Sequence, residues 1–194
     1  MTKIIGLTGG IGSGKTMVAN YISSLGIPVY IADEEAKKIM DSDNVVQAIS
    51  NAFGDNIIQN KKINREKLSK LVFNKPAELQ KLNAIIHPLV KVDFDKWLKN
   101  YEKFLFVFKE AAILFESGSY KYCDAVIAVT APVETRLQRV IERDKSDRES
   151  VIKRMQNQWT DAQRTAKSDY VIHNLSVEDT KRQVDKILKI LQNQ

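Results

Sequence analysis

Apolar residues set the rhythm from the start of the chain. Ile4, Ile5 and Leu7 form a short apolar run of the kind a buried strand shows. Beyond it Val18, Tyr21, Ile22 and Leu25 recur at helical spacing, and Gly26 stands where a helix C′ residue belongs. Pro28-Val29-Tyr30-Ile31 predicts a second strand that ends at Ala32-Asp33. Glu34 to Met40 predicts a helix with Asp33 at its N-cap. Strand, helix and strand joined by short returns make a βαβ unit, which predicts a parallel sheet.

From Ser42 to Tyr101 the pattern turns helical. Val45, Ile49, Ala52 and Phe53 mark one helix stopped by Gly54, and Asn64 can cap another that carries Leu68, Leu71 and Val72. Pro76 suits the first turn of a helix with Leu79, Leu82, Ile85 and Ile86. His87-Pro88 interrupts that pattern, so the sequence predicts that His87 ends a helix and that Leu89 to Leu98 resumes it. This reads as a helical insertion between two strands, able to hold a second substrate.

The strand pattern then returns. Phe104 to Phe108 is apolar on both faces and predicts a central strand, followed at once by Lys109 and Glu110. Ala125 to Val129 predicts another buried strand, and Pro132 opens a helix. Ser146-Asp147-Arg148-Glu149 fits a capping box for a helix continuing to about Gln158, and Thr160 to Gln163 fits another. Tyr170-Val171-Ile172 predicts the last strand. Ser176 caps a final helix with Val184, Ile187, Leu188 and Leu191 inward.

One stretch between the first strand and helix carries chemistry. Gly9-Gly10-Ile11-Gly12-Ser13-Gly14-Lys15-Thr16 fits the phosphate-loop pattern, in the strand–loop–helix context that pattern needs. Glycines let successive N–H groups point inward, and the helix N-terminus adds orphan donors and partial positive charge. Lys15 supplies a full charge at the β- and γ-phosphates, and the Thr16 hydroxyl suits Mg²⁺. A glycine-rich turn that binds nothing would leave the lysine, the hydroxyl and the flanking elements as coincidence.

Other positions carry two readings each. Asp33, at the carboxyl end of the second strand, can orient an acceptor hydroxyl and take its proton, or can be a plain N-cap. Arg136, Arg139 and Arg143 are spaced i, i+3, i+7 on one helical face, with Leu137, Val140 and Ile141 opposite. They are either a mobile lid that meets the transferring phosphoryl group or a solvated basic face. Arg164 could also reach phosphate. His87 is a helix-end residue or a contact to a second substrate. Glu110 and Glu116 follow the Phe104–Phe108 strand, where an acid directed at Mg²⁺ would stand. Cys123, Trp97 and Trp159 read as packing residues.

Composition narrows the classes. The chain has 194 residues with 43% hydrophobic content, enough for a packed core. The 30 Lys+Arg against 24 Asp+Glu leave a formal net charge of +6, which suits an anionic ligand without selecting nucleic acid. A single cysteine, Cys123, allows no intrachain disulfide and fits a reducing cytosol. No apolar run approaches the ~20 residues of a membrane span. The strand pattern at the N-terminus leaves no room for a signal peptide. No internal repeat or low-complexity segment is visible.

Taken together these residues resemble the dephospho-CoA kinase family over nearly the whole chain. The resemblance is carried by Leu7-Thr8-Gly9-Gly10-Ile11-Gly12-Ser13-Gly14-Lys15, Ala32-Asp33, Ile86-His87-Pro88-Leu89 and Leu114-Phe115-Glu116. It extends through Arg139, Arg143-Asp144, Gln158, Arg164 and Asp169-Tyr170-Val171-Ile172 with Asn174. Ala112 stands where the family often has proline, Ile113 replaces a leucine, Ile31 precedes Ala32-Asp33 where Asp is common, and Met17 follows the loop where Ser or Thr is usual.

The resemblance implies an α/β P-loop kinase fold, three-layered, with a parallel central sheet, a helical insertion and a lid. It implies a nucleotide-binding core (about 1–40, 102–132 and 168–194), a helical substrate subdomain (about 41–101) and a lid (about 133–167). It implies ATP-dependent phosphorylation of the ribose 3′-hydroxyl of dephospho-CoA in the cytoplasm, with Mg²⁺, by a monomer or weak homo-oligomer without nucleic-acid or membrane partners. Asp33, Lys15, Arg139 and Arg143 would be catalytic. Gly9 to Thr16, the Met17 backbone and Asn174 would bind nucleotide. Thr8, Asp33, His87 and Arg164 would bind substrate, and Thr16 the metal. A kinase for another acceptor, such as a nucleoside monophosphate, and a P-loop switch or nucleic-acid-stimulated ATPase are the competing readings. Against the last stand the absent Asn-Lys-x-Asp and Leu-Ser-Gly-Gly-Gln motifs, and the lack of aromatics interleaved with the arginines.

Overall fold

Strand β1 (Lys3–Thr8) runs straight into the glycine loop, and helix α1 (Lys15–Ser24) follows it, with Leu25 and Gly26 closing the helix at a φ of 79° for the glycine. The computed structural model describes residues 1–72 and 75–193. Strand β2 (Val29–Ile31) leads directly into α2 (Ala32–Met40) and α3 (Asp43–Phe53). A hairpin of β3 (Ile58–Gln59) and β4 (Lys62–Ile63) comes next, then α4 (Arg65–Val72) and the long α5 (Pro76–Lys99). The chain returns through β5 (Phe106–Glu110), β6 (Ala125–Thr130) and three helices: α6 (Val133–Asp144), α7 (Arg148–Gln156) and α8 (Asp161–Lys167). It ends on β7 (Tyr170–His173) and α9 (Val177–Gln192).

The main sheet has the order β2-β5-β1-β6-β7, and every pairing in it is parallel. The strand feeding the glycine loop is therefore the central one. On one face Ile5, Leu7, Phe106, Phe108, Ile127 and Ile172 pack against Val18 and Ile22 of α1 and Val184, Leu188 and Leu191 of α9. The opposite face is covered at Gly6, where a side chain would collide with Leu114. A parallel sheet covered on both faces needs apolar residues on both, which is why β5 and β6 read as continuous rather than alternating runs.

The chain divides into two compact units, Met1–Ile31 with Tyr101–Gln194, and Ala32–Asn100. The second has its own core, in which Val45, Ile49, Ile57, Ile63, Leu68 and Ile86 cluster. Among the described residues no helix is long and apolar enough to cross a membrane.

Several elements depart from the sequence reading. The helix after β2 begins at Ala32, so Asp33 lies in its first turn with Glu34 and Glu35 rather than at the N-cap. Three carboxylates there still complement the helix dipole. His87 does not end a helix: α5 continues through Pro88. One missing N–H is outweighed by a 24-residue frame anchored at Ile86 and Phe94, which are 6% and 2% exposed. The strand expected at Phe104 starts two residues later and takes in Lys109 and Glu110, leaving Phe104 and Leu105 exposed. It is flanked by β2 and β1 and lies one strand from the edge. The cap of α7 is Asp147, whose carboxylate accepts from the Ser150 N–H at 2.9 Å, and the helix stops at Gln156. The Thr160–Gln163 capping box is present.

Candidate active site

The glycine loop closes on itself and then opens into α1. The Ser13 N–H donates to the Gly10 carbonyl at 3.0 Å. Gly12 and Gly14 sit at φ of 78° and 92°, a backbone region that side chains disfavour. Gly14 is the N-cap and Lys15 the first helical residue, so orphan N–H groups of the first turn gather at the loop. Thr8 and Ser13 are fully buried, and neither hydroxyl has a hydrogen-bond partner among the described residues. Thr16 is exposed at the helix start. The Met17 N–H donates to the Gly14 carbonyl at 3.0 Å.

Lys15 Nζ stands 3.4 Å from Glu110 Oε1, with side chains 12% and 5% exposed. Sheet register causes this: Glu110 closes β5, opposite Leu7 of β1 and Ile31 of β2. The lysine that would meet phosphates is thereby held at the carboxyl end of the sheet, the side where ligands bind in open α/β folds.

Asn174 fastens the loop from the other side. Its Nδ2 donates to the Ser13 carbonyl at 2.8 Å, its Oδ1 accepts from the Thr180 hydroxyl at 3.0 Å, and its N–H donates to the Thr130 carbonyl at 2.8 Å. A side chain at Gly14 would run into that amide. Arg139 reaches the same spot: Nη2 donates to the Asn174 carbonyl at 3.3 Å, while Nη1 is buried without a hydrogen-bond partner among the described residues. A buried guanidinium N–H left open beside the loop is suited to donate to an anion.

The three arginines of α6 separate. Arg136 is 5% exposed and pairs with Asp161 at 2.6 Å. Arg143 points into solvent and holds Asp144 at 2.7 Å. Arg143, with Arg154 on the same carboxylate, keeps Asp144 down at about 2. Arg164, 1% exposed, is bound to Glu116 at 3.0 Å and Asp161 at 3.5 Å, and its Nε has no partner among the described residues. Asp33 is exposed. His87 is half-buried in α5, and burial lowers its proton affinity, favouring the neutral imidazole. Burial also pushes the Cys123 thiol up to about 11, which fits a packing role. Trp159 stacks on Phe115 with ring centres 5.3 Å apart, and Trp97 on Phe94 at 5.8 Å.

Asp161 is the neighbour of these arginines that sequence reasoning missed. The capping box placed it in a first helical turn, but no pattern signalled that its carboxylate is shared by Arg136, Arg164 and the Thr130 hydroxyl.

A central strand, a glycine loop with its lysine and a parallel sheet with helices around it define a P-loop kinase of the α/β class. A family model described as dephospho-CoA kinase matches residues 3–179. A dephospho-CoA kinase of Fusobacterium nucleatum is 40% identical over 190 residues, covering 97% of this chain and 98% of that protein. The crystal structure of TT1252 from Thermus thermophilus superposes with a TM-score of 0.89 at 30% identity, covering 97% of each chain. A dephospho-CoA kinase from Campylobacter jejuni superposes at 0.72 with 28% identity, covering 100% of this chain and 99% of that one. The chain belongs to the dephospho-CoA kinase family.

Proposed function

We propose that this enzyme transfers the γ-phosphoryl group of ATP to the ribose 3′-hydroxyl of dephospho-CoA, giving coenzyme A and ADP. The observation that carries the reading is the family match over residues 3–179, on a chain whose glycine loop is intact. The loop from Gly9 to Thr16 and the Met17 backbone cradle the ATP phosphates, with Asn174 holding the loop in shape. Lys15 exchanges its contact with Glu110 for the β- and γ-phosphates. Arg139 offers its open Nη1 to charge that grows during transfer, and Arg143 swings in from solvent as part of a lid spanning about 133–167. Asp33 orients the acceptor hydroxyl and takes its proton. Thr8, His87 and Arg164 contribute contacts to substrate, with residues of about 41–101 forming the acceptor side.

Hard oxygen donors suit Mg²⁺, and the Thr16 hydroxyl with the Glu110 carboxylate would supply them. Among the described residues no cluster of three or more His, Cys, Asp or Glu could hold a metal, so phosphates and water would complete its shell. Bound there, the ion would neutralise charge on the transferring group. Single cysteine usage supports a cytoplasmic enzyme, and we propose a monomer or weak homo-oligomer.

A coupled assay of ADP release with dephospho-CoA, AMP or single-stranded RNA tests the reading. Stimulation by dephospho-CoA alone is expected. Preference for AMP would move the enzyme to a nucleotide kinase, and stimulation by RNA would make it an ATPase. Arg139→Ala is expected to lower kcat roughly 30-fold, the size of one lost hydrogen bond to a charged group, while ATP affinity falls less. Single-turnover kinetics checks this: an unchanged chemical step with weakened ATP binding would refute the role.

A further inference from the structure

Both backbone polar atoms of Ile11, at the tip of the glycine loop, are gripped by side chains from far along the chain. The Ile11 N–H donates to Gln158 Oε1 at 2.9 Å, and Arg136 Nε donates to the Ile11 carbonyl at 2.9 Å. We infer that Gln158 and Arg136 are positioning residues that hold the phosphate loop in its binding shape before ATP arrives.

Neither grip is loose. Arg136 Nη1 is anchored on Asp161 Oδ2 at 2.6 Å, and that oxygen also accepts from the Thr130 hydroxyl at 2.9 Å at the end of β6. The Gln158 side is tied down next door, where the Trp159 N–H donates to Glu116 Oε1 at 2.9 Å. The same oxygen accepts from Arg164 at 3.0 Å, and Arg164 returns to Asp161. The two arms thus join one part-buried network. Packing closes the gap as well. A side chain at Gly10 would overlap the Arg136 guanidinium, and one at Gly12 would overlap the Arg136 carbonyl. The Ile11 side chain itself packs with Leu137, Val140 and Val151.

The physical need is clear from the loop's composition. Gly9, Gly10, Gly12 and Gly14 give it many accessible backbone states, and ATP binding would have to select one of them. Tethering Ile11 removes that cost beforehand, which is how preorganisation raises affinity. Ile11 N–H is spent on Gln158, so the tether holds the loop at a point outside the first turn of α1 and leaves that turn facing the anion. Arg136 therefore differs in kind from Arg139, one turn along the same helix. This inference rests on the loop binding ATP and is independent of the acceptor's identity.

The test uses the full-length protein without acceptor. Gln158→Leu keeps a similar volume and removes the oxygen that receives the Ile11 N–H. Arg136→Lys keeps a cation for Asp161 and removes the Nε donor. Gln158→Leu is expected to weaken ATP binding by calorimetry about tenfold, the effect of one lost hydrogen bond. It should also speed amide exchange at Ile11 and leave the melting temperature within a few degrees. Arg136→Lys should move ATP affinity the same way. In steady state the KM for ATP should rise, with the KM for dephospho-CoA unmoved. Gln158→Leu with unchanged ATP affinity and unchanged Ile11 exchange would overturn the inference. So would equal losses for both substrates accompanied by a collapse in melting temperature, the mark of a general structural role. Wild-type protein that fails to bind ATP would remove the nucleotide reading of the loop itself, a distinguishable failure.

Discussion

Lys15→Ala is expected to lower kcat/KM about 10³-fold, the range seen when a principal stabiliser of phosphoryl-transfer charge is removed. Phosphoryl transfer asks little covalent chemistry of the protein, so catalysis rests on position and charge. In the proposed mechanism Lys15 supplies both: it is the first residue of α1 and is held 3.4 Å from Glu110 in a nearly buried setting. In such a setting a charge acts with less screening than in water. Removing the ammonium has a second effect, because it strips a cation from beside the buried Glu110 carboxylate and brings that negative charge to bear on the phosphates. Some loss of melting temperature is expected from breaking a buried pair. Lys15→Ala combined with Glu110→Gln should recover melting temperature without recovering turnover. Near-normal turnover in a folded Lys15→Ala protein would contradict the account.

Asp33→Asn is expected to cost roughly 10²-fold or more in kcat, the range of a lost general base. The assignment rests on chain position. Asp33 follows the last residue of β2 by two places, and that residue, Ile31, pairs with Glu110. A carboxylate beyond the carboxyl end of a parallel strand suits a ligand-facing role. The transition state is loose, so orientation of the hydroxyl and late acceptance of its proton suffice. Asparagine keeps the shape and removes base and charge. The competing helix-terminus role predicts a different pattern. Asp33 stands in the first turn of α2 beside Glu34 and Glu35, so loss of one charge there should cost only about 0.3–1 kcal/mol. Turnover would survive under that role. Measuring kcat with dephospho-CoA and melting temperature for Asp33→Asn separates the two, and wild-type turnover would remove Asp33 from the chemistry.

Much of the fold was legible because local signals agreed. The loop from Gly9 to Thr16 lay between an apolar run and a 3.6-residue repeat, and strand β1 and helix α1 flank it as expected. The Thr160–Gln163 box and the Ser176 cap were readable because a cap depends on a few adjacent residues. Strand β5 was misplaced by two residues because its limits are fixed by register with β1 and β2, which composition does not encode. The β3–β4 hairpin went unread, although Asn60 and Lys61 both adopt positive φ, at 52° and 60°, as a tight hairpin turn requires. Two-residue strands leave no periodicity to detect.

The site was legible in part. Spacing put Arg136, Arg139 and Arg143 on one face of α6, yet the three end in different places. Periodicity fixes direction around a helix axis, while depth changes along it: Arg136 is 5% exposed, whereas the Arg143 side chain is 62% exposed. Arg164 reads in the sequence as a cation able to reach phosphate, but its burial at 1% exposure between Glu116 and Asp161 depends on partners 48 and 3 residues away. The grip on Ile11 joins residues 125 and 147 positions apart, beyond the reach of any local pattern.

The most direct measurement of the central claim is the identity of the product. The protein, supplied with ATP, Mg²⁺ and dephospho-CoA, should yield ADP and an acceptor heavier by a single phosphoryl group. Phosphorus NMR should place that group on the ribose 3′-hydroxyl, and a 3′-deoxy analogue of dephospho-CoA should accept none. Release of ADP with dephospho-CoA recovered unchanged, or phosphate carried by the 3′-deoxy analogue, would contradict the account.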